Sequence, residues 1–441
     1  VSPIAILIIL NFALICVLLL KSSLSRRQRH CTLSDGGKPV VEFFLHGRGS
    51  GHWTGSWGLM EVLMEKGYDL RVYATKPMPP FAKRASPIAL TRILRGEKVQ
   101  DSLPAPSFVN YTLVDVLLPG MSLFQVLSVL WKRVPRWSGD PRPLVIISDG
   151  DFPGALQSYL YGIPSIHTTH GQMFAGIPPP STLPKALIPS WDHQARLNGR
   201  NSMWTTYEVG FNPIPFVGLE SVPRPRVRNV VRDMARQRHA RIQAYQGLPQ
   251  HHRPLVVTYF RDENGAKTVE MLLRESVDVV VFGSVPQLPD SLPGKLIPVG
   301  DPTYFVQFMG IADGVAGSGG CILQAECAYA LIPLLSLYLK DDTEHELNVY
   351  MGKQVKLKNG NRLIFGMSFE DLAIAKSTPE EIQLFLDRVR KSDASTSFFE
   401  AQGQDQDSSS FLFRNELLDD IKESSDRIVE ILEKERQKSK C

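Results

Sequence analysis

Short apolar runs alternate with segments of helical period, twice over, and nothing else in the sequence restricts the fold as much. In the first half VEFFLH (41–46), YDLRVYA (68–74), LVIIS (144–148) and IPSIHTTH (163–170) read as strands, with helix-like stretches from about Gly55 to Lys66 and over GALQSYLYG between them. The second half repeats the idiom with PLVVTYF (254–260), VDVVVFGS (277–284), KLIPVG (295–300) and IPLLSLYL (332–339). Alternation of this kind implies parallel strands joined by crossover helices. A chain of 441 residues is too long for one small core and suits two α/β domains with room for additions.

The expected division follows the composition. Residues 39–210 form an amino-terminal α/β domain, 211–250 a linker with a basic helix, and 251–352 a second α/β domain. Residues 353–441 form a helical carboxyl-terminal extension with a polar, mobile stretch near 393–410. Residues 76–110 are rich in proline and basic groups and read as an irregular excursion.

The net charge of +4 is slight for this length, so electrostatics gives no reason to expect a nucleic-acid partner. One local excess stands out, seven arginines between Pro223 and Arg241, with Arg228, Arg232 and Arg236 at helical spacing. It is either a solvated helix face or a patch for anionic lipid or an acidic substrate. The five cysteines form neither a metal spacing nor a dense disulfide pattern, and Cys321 and Cys327 read as core.

Ile4 to Leu20 is apolar apart from Asn11, and Lys21, Arg26, Arg27 and Arg29 follow at once. Residues 1–21 therefore read as a single transmembrane anchor, and 22–38 as a basic polar spacer. A cleaved signal would carry its basic residues ahead of the apolar run. The positive-inside rule keeps the body of the protein on the cytosolic side of a membrane. The sequon Asn110-Tyr111-Thr112 opposes that orientation only if it is glycosylated.

Two glycine clusters fall at the carboxyl ends of strands, where ligands collect in a doubly wound sheet. The first, Gly47-Arg48-Gly49-Ser50-Gly51-His52, lacks the sixth-place glycine of a dinucleotide fingerprint. The next strand ends at Ala74-Thr75-Lys76 without an acid to hold a ribose, which weakens an oxidoreductase reading. The second cluster, Gly317-Ser318-Gly319-Gly320, follows a short strand and opens a helix that carries Glu326. Free amides and the positive helix end there suit a diphosphate. After the following strand, DDTEHELN (341–348) brings more polar groups to the same edge.

At these residues the chain resembles the GT-B glycosyltransferases, in particular the group of the peptidoglycan N-acetylglucosaminyltransferase and glycosyltransferase family 28. GSGG…E followed by EHELN looks like their donor segment, with histidine where the group has glutamine. HGRGSGH is similar to their amino-terminal glycine loop, and SDGDFPGALQSYLYGIPSIHTTHGQ to a D-F-x-P … G-I-P … H-Q run. The resemblance covers about residues 40–352. It implies an α/β fold of two Rossmann-like domains (GT-B), here preceded by one amino-terminal transmembrane helix.

With the apolar segment read as an anchor, the resemblance implies a membrane-anchored transferase that moves a sugar from a nucleotide-diphosphate donor, a UDP-sugar, to an acceptor hydroxyl. The reaction is inverting, with no metal and no cofactor besides the nucleotide sugar as co-substrate. His52 or Asp151 is the expected base. Gly283, Ser284, Ser318, Gly319, Gly320, Glu326, Glu344, His345 and Asn348 are expected around the donor, and Gly49, Ser50, Gly51 and His170 around the acceptor. The anchor and the arginine stripe together suggest a lipid-linked acceptor.

Duller readings stand beside these. His52 also suits a helix cap, Glu326 a buried structural acid, His345 a surface side chain and His170 a structural role. The Asp149-Gly150-Asp151 triplet has the look of a metal-binding D-x-D but fits a metal-independent strand end better. Two other functions share the pocket: a nucleotide-sugar 2-epimerase, which turns over without an acceptor, and a non-catalytic nucleotide-sugar-binding membrane scaffold.

Overall fold

The computed structural model describes residues 37–45, 51–74, 111–113, 142–149, 152–169, 178–179, 181, 183–202, 204–210, 253–260, 265–283, 285–289, 291–299, 304–305, 308–309, 312–329, 332–354, 362–391 and 412–439. The first half runs β1 (Val40–Leu45), α1 (Gly51–Glu65), β2 (Asp69–Ala74), β3 (Tyr111–Leu113), β4 (Val145–Asp149), α2 (Phe152–Tyr161), β5 (Ser165–Thr169), α3 (Ile188–Ser202) and β6 (Tyr207–Gly210). The second runs β7 (Leu255–Phe260), α4 (Ala266–Arg274), β8 (Asp278–Gly283), β9 (Leu296–Val299), β10 (Gly314–Ser318), α5 (Cys321–Tyr329), β11 (Leu334–Tyr338), α6 (Thr343–Gln354), β12 (Ile364–Ser368), α7 (Phe369–Ile374) and α8 (Glu380–Lys391). A last helix, α9, spans Leu412–Ser439.

The strands make two six-stranded sheets, β3-β2-β1-β4-β5-β6 and β12-β11-β10-β7-β8-β9. Read from β9, the second sheet repeats the order of the first, the 3-2-1-4-5-6 order of a Rossmann domain, and the strand pairings are parallel in both. Helices cover both faces of such a sheet, so its central strands read as unbroken apolar runs. β1 and β4 are buried at every position, whereas β2 alternates.

On one face of the first sheet Val41, Phe43, Leu45, Val145 and Ile147 pack with Trp53, Met60 and Leu63 of α1. On the other, Phe44 and Ile146 meet Leu156 and Leu160 of α2. In the second sheet one face packs on Val269, Leu272 and Leu273 of α4 and on Ile382, Phe385, Leu386 and Val389 of α8.

The structure changes the expected limits in three places. α1 begins at Gly51, not near Gly55, so Gly51 and His52 sit in its first turn and not in the preceding loop. Burial of Trp53 in the first core gives the turn its anchor despite two glycines in five residues. The second sheet does not stop at residue 352: β12 pairs with β11, and α7 and α8 pack behind it. The carboxyl-terminal helix packs back on the first half. Ile428, Val429 and Leu432 of α9 join the core formed by β1, β2, β4 and α1.

At the edge of that contact the Tyr207 hydroxyl donates to Glu435 Oε1 at 2.6 Å. Burial pushes the Glu435 carboxyl up, but hydrogen bonds from Lys438 and Tyr207 outweigh it and leave the group below the usual carboxylate range.

The expected anchor (1–21) lies outside the described residues, as do nearly all of the spacer, the excursion at 76–110, the linker with its arginines and the polar stretch at 393–410. Among the described residues no helix is long and apolar enough to cross a membrane.

Gly283, the last residue of β8, has φ +92°, and a Cβ built on it would stand 2.5 Å from the Phe260 carbonyl oxygen. A left-handed φ and a backbone contact together exclude any side chain. Gly283→Ala is expected to cost about 1–3 kcal/mol, read as a lower urea midpoint with an unchanged slope. Truncation of α9 at residue 425 should cost more, because it uncovers the first core; a truncated chain as stable as the full one would refute that role.

Candidate functional site

In a sheet of this order ligands bind where the strand order reverses, outside the carboxyl ends of the two central strands. In the first sheet those strands are β1 and β4, which pair with Leu45 opposite Asp149. His52 stands one helical residue beyond the β1 loop, and Asp149 closes β4. Their side chains meet, with His52 Nδ1 3.1 Å from Asp149 Oδ1. The approach is within ion-pair reach but off the line of an ideal hydrogen bond. The Ser56 hydroxyl donates to the other oxygen, Asp149 Oδ2, at 2.7 Å. Asp149 is fully buried, while the His52 side chain keeps 18% of its surface exposed. A buried acid thus backs an imidazole that still faces solvent.

Beneath this pair lies a second histidine that the sequence did not single out. His167 on β5 is fully buried, and its Nδ1 donates to the Ser148 carbonyl at 3.1 Å, next to Asp149. Burial pushes this imidazole below its ordinary value of 6.5, and Asp149 with the Ser148 carbonyl offsets only part of that shift. An unfolded chain therefore binds a proton here near pH 6.5, whereas the folded chain binds it only at lower pH. Within that interval the unfolded state holds more protons, so stability falls as pH drops. The expected slope approaches about 1.4 kcal/mol per pH unit. Urea unfolding at pH 7.5 and 5.5 should show this loss, and His167→Gln should flatten it.

In the second sheet the central strands are β7 and β10. Ser318 ends β10, Gly319 and Gly320 follow, and α5 starts at Cys321. The Gly320 amide donates to the Ser318 carbonyl at 2.8 Å, and the Gln324 amide to the Gly320 carbonyl at 3.3 Å. The amides of residues 321–323, ahead of this bond, have no acceptor within the helix.

The middle of the turn is closed. Gly319 is buried, and a Cβ on it would lie 3.0 Å from His345 Cβ, 3.0 Å from the His345 carbonyl oxygen and 3.1 Å from Val349 Cγ2. Close packing of the turn against α6 therefore accounts for this glycine on its own. Ser318 and Gly320 on either side are half-buried, and around Gly320 a Cβ would meet nothing within 4 Å.

α6 supplies the other donor-side candidates. Asp342 caps it, its Oδ1 accepting the His345 amide at 3.1 Å while Oδ2 lies 3.2 Å from His345 Nδ1. The His345 ring is thereby fixed at one nitrogen. Glu344 is half-buried, and Glu326 on α5 is buried. Asn348 is fully buried, and neither atom of its amide has a partner among the described residues. Unsatisfied buried amides are uncommon and invite a ligand or a water. Gly283 is exposed at the end of β8, where backbone geometry already demands a glycine.

α6 also joins the two halves. Leu347 and Met351 form one cluster with Leu183, Leu187 and Trp191 at the start of α3. At its rim Gln194 Nε2 donates to Thr343 Oγ1 at 3.3 Å, and the Ser190 hydroxyl donates to Glu346, whose carboxyl is raised by burial against that bond. α3 follows the carboxyl end of β5, and α6 follows that of β11. The joint therefore lies on the carboxyl-end side of both sheets.

Gly49, Ser50, Asp151, His170 and Ser284 lie outside the described residues. Among the described residues no group of three or more His, Cys, Asp or Glu side chains is placed to hold a metal. Asp149 and Ser56 were missed as site residues. Asp149 had a signal, as the residue that closes an apolar strand, whereas Ser56 had none, because the expected helix began only near Gly55 and left His52 in the loop.

Two Rossmann-ordered sheets in one chain, joined on their carboxyl-end sides, make a GT-B glycosyltransferase fold. No protein-family model and no curated protein matches the chain. Similar solved structures include MurG of Acinetobacter baumannii, with 14% identity and a TM-score of 0.46 over 90% of this chain and 99% of that one. The UDP-GlcNAc 2-epimerase of Neisseria meningitidis bound to UDP-GlcNAc is similar with 15% identity and a TM-score of 0.46, over 90% of this chain and all of that one. UGT89C1 of Arabidopsis thaliana complexed with UDP-L-rhamnose has 14% identity and a TM-score of 0.42, over 90% and 99%. At such scores these likenesses add nothing to the strand order, which carries the fold.

Proposed function

We propose that the chain is a glycosyltransferase that moves a sugar from a nucleotide diphosphate, a UDP-sugar, to an acceptor hydroxyl. The observation that carries this reading is the His52–Asp149 pair at the switch point of the first sheet. Asp149 holds the imidazole proton at Nδ1, which leaves Nε2 as the base. Nε2 takes the proton of the acceptor hydroxyl, the oxygen attacks the anomeric carbon, and the diphosphate leaves from the opposite face. A single displacement of this kind inverts the anomeric centre. The hydrogen bond of such a pair straightens and shortens around the substrate.

On the donor side the first turn of α5 stabilises the departing charge with its free amides and dipole. Ser318 and Gly320 flank that turn, Glu326 takes ribose hydroxyls, and His345 and Asn348 face the sugar. The unsatisfied Asn348 amide supports this assignment. The apolar segment 1–21 and the arginines at 224–241 point to an anchored protein, its body on the cytosolic side, that works on a lipid-linked acceptor.

The full chain in lipid vesicles, given radiolabelled UDP-sugars and a membrane lipid extract, should transfer label into lipid with inverted anomeric configuration. His52→Ala and Asp149→Asn should each lower kcat by roughly 100-fold or more. A changed sugar on UDP without any acceptor would identify a 2-epimerase instead. No turnover of any donor, with wild-type cellular behaviour of the two variants, would leave only a binding scaffold.

A further inference from the structure

Where α5 meets α6, two buried amide side chains keep polar atoms without a partner among the described residues. We propose that an ordered water binds between the two helices, donating to Gln324 Oε1 and accepting from Asn348 Nδ2, and that Gln324 acts through it as a positioning residue for Asn348. The water site needs no sugar, so it stands apart from the role proposed above for Asn348.

Gln324 on α5, Ser336 on β11 and Asn348 on α6 are all fully buried. Gln324 Nε2 donates to Ser336 Oγ at 3.2 Å, which satisfies one end of its amide. The other end, Oε1, has no partner among the described residues, and neither has Oδ1 or Nδ2 of Asn348. Turning the Gln324 amide over would exchange its two ends and still leave one bare.

The face of α6 that meets α5 fixes where these atoms stand. His345, Asn348 and Gly352 follow one another at three and four residues, so they share one side of the helix. At one end of this stripe His345 Cβ lies 3.0 Å from the place of a Cβ on Gly319, just ahead of α5. At the other end a Cβ on Gly352 would stand 2.6 Å from Gln324 Oε1. Asn348 lies between these contacts, and its amide therefore borders the same seam as the Gln324 carbonyl, one helical turn away.

A buried carbonyl or amide without a partner forfeits the whole cost of its desolvation. Water has two hydrogens and two lone pairs, and buried waters in folded proteins make about three hydrogen bonds to groups of this kind. Donation to Oε1 and acceptance from Nδ2 satisfies both side chains. It also settles how the Asn348 amide is turned, nitrogen toward Gln324 and oxygen away from it. Asn348 has two N–H groups and two lone pairs, so its oxygen keeps the capacity for a further partner.

A dry seam predicts the opposite sign. There Asn348→Leu removes two orphaned atoms at nearly constant volume and raises stability, and Gln324→Met has the same effect with or without it. With the water in place, Asn348→Leu strips a partner from the water and from Oε1 and lowers stability.

Urea unfolding of the full chain, with the two single variants and the double variant, distinguishes these cases. The expected result is a lower midpoint for Asn348→Leu, and a smaller loss from Gln324→Met in the Asn348→Leu chain than in wild type. A crystal structure of the wild-type chain should show the water within hydrogen-bond distance of both side chains, and this holds even if a variant fails to fold. A raised midpoint for Asn348→Leu, additive effects of the two replacements, a direct bond between the amides or a seam without water overturns the proposal.

Discussion

The apolar joint between α3 and α6 is the constraint on which the rest of the architecture depends. Trp191, Leu183 and Leu187 from the first half pack with Leu347 and Met351 from the second, with two side-chain hydrogen bonds at the rim. Each helix leaves its own sheet at the carboxyl-end side. Burying this patch therefore brings together the two edges where Rossmann sheets bind ligands. α6 has three tasks on neighbouring faces. It caps the Gly319 turn through His345 and Val349, it holds the joint through Leu347 and Met351, and between these it carries the unsatisfied Asn348.

The chemistry proposed for the first half rests on an asymmetry of burial. Asp149 is sealed at the end of a strand with both faces covered, whereas His52 sits in the first turn of a helix that opens to solvent. The cost of burying the carboxylate is offset by donors that converge on it, and the same burial keeps water from competing for Nδ1. His167 lies on the opposite face of the same sheet edge, neutral because it is buried, and ties the backbone at Ser148. The second half has a His–Asp pair too, His345 with Asp342, but there the carboxylate keeps 38% of its surface exposed. It offers a helix start, half-buried polar groups and one unsatisfied amide, a set suited to holding a charged group.

Much of the fold was legible because parallel strands covered on both faces must be apolar throughout, and VVEFFL, VIISD and LVVTYF say so directly. What was less legible depended on distant partners. GHWTG is a poor helix start by propensity, and only the burial of Trp53 in a core built from β1 and β4 makes it one. β12 lies beyond a polar stretch and gains its place from pairing with β11. Glycine clusters signalled ligand loops, yet Gly319 and Gly283 also answer to packing and to backbone conformation. In Asp149-Gly150-Asp151 the spacing could not tell the acid that closes the strand from the one beyond it. The meeting of Asp149 with His52 and Ser56 needed the three-dimensional register.

The central claim is that one ligand spans both edges, its diphosphate at the start of α5 and its sugar toward His52. Hydrogen exchange of the full chain with and without a UDP-sugar tests this most directly, since amides slow where a ligand covers or orders them. The account predicts slowed exchange in two separate places, residues 318–324 with the start of α6, and the first turn of α1. Slowing confined to one half, or found only on the amino-end side of either sheet, would contradict it.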